Sequence, residues 1–66
     1  MKIQVNGEPV QVPEACTVAD LLVRLGLDPL GLAAAVNAQV VPRGHHGEAR
    51  LQEGDRVELI RAVGGG

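Results

Sequence analysis

Met1-Lys2-Ile3-Gln4-Val5-Asn6-Gly7-Glu8-Pro9-Val10-Gln11-Val12 opens the chain, and its pattern decides the fold. Residues 1–5 alternate apolar and polar, the period of a strand that buries one face. Asn6-Gly7 follows, and an Asn-Gly pair between alternating segments is the strongest short-range signal for a hairpin closed by a type I′ turn. Alternation resumes over residues 8–12 and puts Val10 and Val12 on the buried side. Pro9 has no backbone donor, which a strand tolerates at a sheet edge or near its start. The pattern predicts an inner strand, a tight turn and an edge strand.

Thr17-Val18-Ala19-Asp20 then reads as a helix start. Thr17 is the N-cap, and Asp20 stands at the third helical position, where a carboxylate suits both a capping box and the helix dipole. Val18, Leu21, Leu22 and Leu25 share one face at helical spacing. Gly26 ends the helix as a left-handed cap, and Pro29 prevents its continuation. Leu32-Ala33-Ala34-Ala35-Val36 is ambiguous, because alanine prefers helix. The run is short and bounded by Gly31 and Asn37, so we read it as a strand packed closely under the helix. Asn37-Ala38-Gln39 is a turn and Val40-Val41 a short return strand ended by Pro42. Residues 43–50 form a polar loop, and Leu51-Gln52-Glu53-Gly54-Asp55 a tight turn. Residues 56–63 close as a strand that feeds into Gly64-Gly65-Gly66.

Composition narrows the function. A chain of 66 residues makes one small domain, which buries only about 60% of its unfolded surface. Its core is aliphatic, with ten Val, eight Leu, two Ile and no Phe, Tyr or Trp. Without aromatics there is no platform for base stacking, and a net charge of −2 with interspersed signs offers no stripe to follow phosphates. Nucleic acid is therefore not expected as a partner. No apolar run nears the roughly 20 residues of a membrane span and no secretory pattern opens the chain, so a soluble, cytoplasmic domain is expected.

The reactive side chains are few. Cys16 stands alone, excluding an internal disulfide; just before a helix cap it reads as a packing residue rather than a nucleophile. His45-His46 in a Gly-flanked loop lack ligand spacing and read as solvated, with no metal site. Gly7 and Gly54 are turn glycines, not a nucleotide fingerprint. No triad or paired-carboxylate constellation is present. The three terminal glycines can be read in two ways on composition alone. They are a frayed terminus, or a side-chain-free tail that reaches roughly 10 Å into narrow channels.

The order is ββαββ, an α+β fold with a mixed sheet packed on one helix. This is the ubiquitin-like β-grasp, with a domain at residues 1–63 and a flexible tail at 64–66. Along its whole length the chain also resembles the sulfur carrier family of thiamin thiazole biosynthesis, the ThiS family. The resemblance lies in Met1-Lys2-Ile3-Gln4-Val5-Asn6-Gly7 and Thr17-Val18-Ala19-Asp20-Leu21-Leu22. It continues through Ala35-Val36-Asn37-Ala38-Gln39-Val40-Val41-Pro42-Arg43, Leu51-Gln52-Glu53-Gly54-Asp55-Arg56-Val57-Glu58 and Gly65-Gly66. The Val-Asn-x-x-Val-Val-Pro-Arg stretch separates it from the molybdopterin-synthase small subunit, which shares fold and tail. Gly64 departs from the family, which often has a non-glycine residue there, and the last strand lacks an aromatic; Ile60 occupies its place.

The resemblance implies a carrier, not an enzyme. A ubiquitin-activating-like (ThiF-like) partner would use ATP and magnesium to adenylate the Gly66 carboxylate. A cysteine desulfurase system would supply sulfur for a C-terminal thiocarboxylate, and a ThiG-like thiazole synthase would receive it. Gly64 and Gly65 would provide access, and the free carrier is expected to be a monomer. An α-carboxyl is ionised at neutral pH and can attack the α-phosphate of ATP; the activating groups would come from partners. The alternatives are a molybdopterin-type carrier, a ubiquitin-like modifier and a structural adaptor whose C-terminus never changes mass. Docking is expected on the sheet face opposite the helix. With Val57 and Leu59 inward, alternation turns Glu58, Ile60 and Ala62 outward, Ile60 as the anchor and Arg56 and Arg61 framing the patch.

Overall fold

The computed structural model describes residues 1–61. Strands β1 (Lys2–Val5) and β2 (Glu8–Gln11), helix α1 (Val18–Leu25), then β3 (Leu32–Val36), β4 (Gln39–Val41) and β5 (Arg56–Arg61) follow in order. The sheet runs β2-β1-β5-β3-β4, so the last strand is central and β2, with Pro9, lies at an edge. β1 and β5 are parallel, and the other neighbours pair antiparallel. This is a β-grasp, as the ββαββ order predicts.

Local chemistry sets the element ends. Asn6 (φ 51°) and Gly7 (φ 84°) take the left-handed conformations that a type I′ turn requires. At the helix start, Asp20 N–H donates to Thr17 Oγ1 at 3.1 Å, and Thr17 N–H donates to Asp20 Oδ2 at 3.1 Å. That reciprocal box satisfies two of the donors a helix start leaves open. Two more are met from the 43–50 loop, where Val18 N–H bonds Ala49 O and Ala19 N–H bonds His46 O, both at 3.0 Å. Gly26 ends the helix at φ 70°.

One core fills the space between α1 and the sheet, built from Ile3, Val12, Cys16, Val18, Leu21, Leu22, Ala34, Leu51, Val57 and Leu59. Ala34 is buried in β3. Its small side chain lets the sheet lie close to the helix, which explains a strand where alanine propensity favours helix.

Three expectations are corrected. Residues 43–50 are not a plain polar loop, because Arg43–His45 form a 3₁₀ turn and His46 is only 4% exposed. His46 Nε2 lies 3.1 Å from Val41 O, and its backbone is pulled inward by capping α1. Leu51 is a core residue rather than a turn residue; its N–H donates to Cys16 O at 2.8 Å. Leu25 remains 39% exposed, since it sits in the last turn beside an open cleft with Leu27 and Leu32.

Cys16 packs in the core as expected. Burial, with a smaller contribution from Asp20, pushes its thiol above the ordinary value, while Arg24 opposes. The folded chain therefore holds the thiol proton more tightly than the unfolded chain. The stabilisation is present below the unfolded thiol pKa, about 8.5, and is lost as pH rises through the higher folded value. Chemical denaturation at several alkaline pH values should show wild type losing stability faster than Cys16→Ala as pH rises from the unfolded thiol pKa through the folded one. Parallel slopes would exclude the linkage.

Candidate functional site

β5 carries the site because it is central and runs toward the chain's last residues. Its alternation sends Val57 and Leu59 into the core and leaves Arg56, Glu58 and Ile60 exposed on the face opposite the helix. Register completes that face: Ala33 lies opposite Ile60, and Ala35 lies between Glu58 and Val40. Ile60 is 63% and Val40 75% exposed. Ile60, Val40, Ala33 and Ala35 thus form an apolar half, while Lys2, Gln4, Gln11 and Arg56 make the other half polar. Apolar area bordered by charge is the composition of a docking surface.

Glu58 and Ile60 stand where alternation put them, and Arg56 shares their face. Arg61 does not. It pairs with Leu32 and lines a cleft with Leu25, Leu27 and Leu59 on the helix side. The reason is parity: residues 56 and 61 are an odd number apart, so one strand cannot present both on one face. Ala62 and the tail glycines Gly64, Gly65 and Gly66 lie outside the described residues, as does the expected extension of the strand to Val63. Val40, Ala33 and Ala35 were missed by sequence reasoning, since their contribution depends on β3 lying between β5 and β4.

Two turn asparagines hold β5 at opposite flanks. Asn37 Oδ1 accepts from Arg56 N–H at 3.0 Å, Asn37 N–H donates to Arg56 O at 2.7 Å, and Asn37 Nδ2 donates to Asp55 Oδ1 at 3.0 Å. Asn6 Oδ1 accepts from Leu59 N–H at 2.9 Å, and Asn6 Nδ2 donates to Leu59 O at 3.2 Å. The strand is bonded through side-chain amides as well as through its two neighbours.

The histidines diverge. His45 Nδ1 lies 3.1 Å from Glu48 Oε1 in an exposed pair, whereas His46 faces Val41 O. Among the described residues, no group of three or more His, Cys, Asp or Glu is placed to hold a metal. The arrangement offers an exposed, partly apolar sheet face and a firmly held strand.

Comparison with known proteins agrees with this geometry. The ThiS family profile matches residues 3–66. The sulfur carrier protein ThiS of Escherichia coli K12 is 35% identical over 66 residues, covering 100% of both chains. The thiazole synthases of Magnetococcus marinus and Paramagnetospirillum magneticum are 42% and 33% identical over 66 residues. This chain spans only 20% of the length of each of those two. The crystal structure of the thiamine biosynthesis protein ThiS from Geobacter metallireducens superposes with a TM-score of 0.87 at 30% identity, covering 100% of both chains. Fold, sequence motifs and full-length similarity converge, and the chain belongs to the ThiS family, the sulfur carriers of thiamin biosynthesis.

Proposed function

We propose that this chain carries sulfur on the carboxyl group of Gly66, as a co-substrate of partner enzymes that build the thiazole of thiamin. The observation that carries the reading is the family match, which runs through Gly65 and Gly66. Coverage of the whole E. coli ThiS supports it.

Each step assigns the bonds. A Gly66 carboxylate oxygen attacks the α-phosphorus of ATP within a ThiF-like enzyme, the bond to pyrophosphate breaks, and magnesium in that enzyme offsets phosphate charge. A cysteine desulfurase system supplies sulfur as an enzyme persulfide, a thiol reductant releases it at the sulfide level with two electrons, and the hydrosulfide then attacks the acyl carbon. The carbon–oxygen bond to AMP breaks and a thiocarboxylate remains. Glycine leaves that carbon unhindered, and Gly64 and Gly65 give access through narrow channels. Thiazole synthase takes the sulfur. Similarity to thiazole synthases that contain a segment like this chain supports that acceptor.

The apolar half of the open face, centred on Ile60 and Val40, is the docking surface in this reading, with Arg56 and Glu58 at its border. No described helix is long and apolar enough to cross a membrane. The carrier is proposed to act in the cytoplasm, as a monomer when free. Incubation with a ThiF-like enzyme, magnesium, ATP and sulfide should raise the intact mass by the difference between sulfur and oxygen, located at Gly66 by fragmentation. An unchanged mass would count against the carrier. A conjugate ladder on denaturing gels would instead indicate a ubiquitin-like modifier.

A further inference from the structure

The parallel pairing of β1 with β5 ends at Val5 and Val57, because the chain turns away at Asn6-Gly7. β5 continues to Arg61. On its other side β3 stays paired as far as Leu32 opposite Arg61. On the β1 side, Asn6 N–H donates to Val57 O at 2.9 Å, and the next rung is made by a side chain. The Asn6 amide accepts from Leu59 N–H and donates to Leu59 O, the two bonds that a longer β1 would have made with its backbone.

We infer that Asn6 is a positioning residue for the reactive terminus. It secures the β1-side edge of β5 at Leu59 and so sets the direction in which the chain leaves β5 toward Gly66. The inference rests on the carrier reading above. Without the amide, β5 beyond Val57 is held along one edge only, and a strand end held on one edge opens more readily. A partner that binds the terminus in one direction then meets a smaller competent fraction, and apparent affinity falls by that fraction. Asparagine suits both demands: it tolerates φ 51° and it carries a donor and an acceptor on one planar group.

The test uses Asn6→Gly. Glycine keeps the left-handed turn and removes only the amide. Thr17→Ala is the control, since it removes the N-cap bond to Asp20 N–H at the helix start, costs about 1 kcal/mol, and leaves β5 and the open sheet face untouched. Both variants are assayed at a temperature where circular dichroism shows them folded. In Asn6→Gly, hydrogen exchange at the Leu59 amide should quicken about tenfold, the equivalent of roughly one net hydrogen bond. KM for the adenylating enzyme should rise about fivefold to tenfold with kcat within about twofold, because the partner orders the terminus once it is bound. In Thr17→Ala the KM should stay at the wild-type value, which a general loss of stability would not explain. If Asn6→Gly does not fold, Asn6→Asp takes its place with KM as the readout: it loses the donor to Leu59 O, while the carboxylate still accepts from Leu59 N–H, so exchange at that amide stays near the wild-type rate. A wild-type KM in the Asn6 variant overturns the inference, as does an equal rise in the Thr17 control. Failure of the wild-type chain to be adenylated overturns the carrier reading itself, and the role of Asn6 with it.

Discussion

Deletion of Gly66 should abolish sulfur loading while leaving the fold as it is. In the proposed reaction the deletion removes the carboxyl group that is adenylated and sets the next carboxylate back by one residue, about 3.5 Å along an extended chain. A misplacement of about 1 Å at a reacting centre already costs roughly a hundredfold. Loading should therefore fall by at least about a thousandfold, below detection by intact mass. Stability should not follow, because among the described residues the last one buried in the core is Leu59, seven positions before Gly66. The measurement pairs intact mass after the loading reaction with thermal unfolding of the same sample. Loading of the shortened chain at the wild-type rate would remove Gly66 from the mechanism. A collapsed melting temperature would instead make the terminus part of the fold.

The fold was most legible where single residues dictate backbone geometry. Asn6-Gly7, Thr17 with Asp20, and Gly26 each announce a turn or a cap through local chemistry, and each stands where that chemistry puts it. Leu32-Ala33-Ala34-Ala35-Val36 is different. Propensity points to helix, and it becomes a strand because it pairs with β5 and lies under α1. His46 and Leu51 were beyond reach for a related reason. Their burial follows from the loop closing over the helix start, a contact that adjacent sequence does not encode.

The candidate site divides in the same way. Glu58 and Ile60 follow from alternation within one strand, and the same rule, applied strictly, would have removed Arg61 from the face. Val40 and Ala33 could not be found in this way, because cross-strand neighbours depend on register. Asn6 was read as a turn residue, which it is. Its second role appears only once Leu59 stands beside it.

Val40→Asp combined with Ile60→Asp should lower kcat/KM for adenylation about a hundredfold or more, since residues central to an interface contribute about 2 kcal/mol or more each when they act as anchors. A carboxylate must also be desolvated against the apolar partner surface, which adds to the loss. Folding should be little affected. Both positions are largely exposed, and strand propensity spans only about 1 kcal/mol. Binding of a ThiF-like enzyme by calorimetry gives the affinity directly, and the expected loss appears there as well as in the kinetics. The comparison that decides the face is Val23→Asp with Leu30→Asp. These two are the other strongly exposed large hydrophobics among the described residues, 79% and 67% exposed. They line a groove on the helix side with Leu22, Leu27 and Arg43, away from the open sheet face. That pair should bind and load like wild type. If it loses affinity while the Val40 and Ile60 pair does not, docking belongs to the helix side, and the apolar half of the sheet has no part in adenylation.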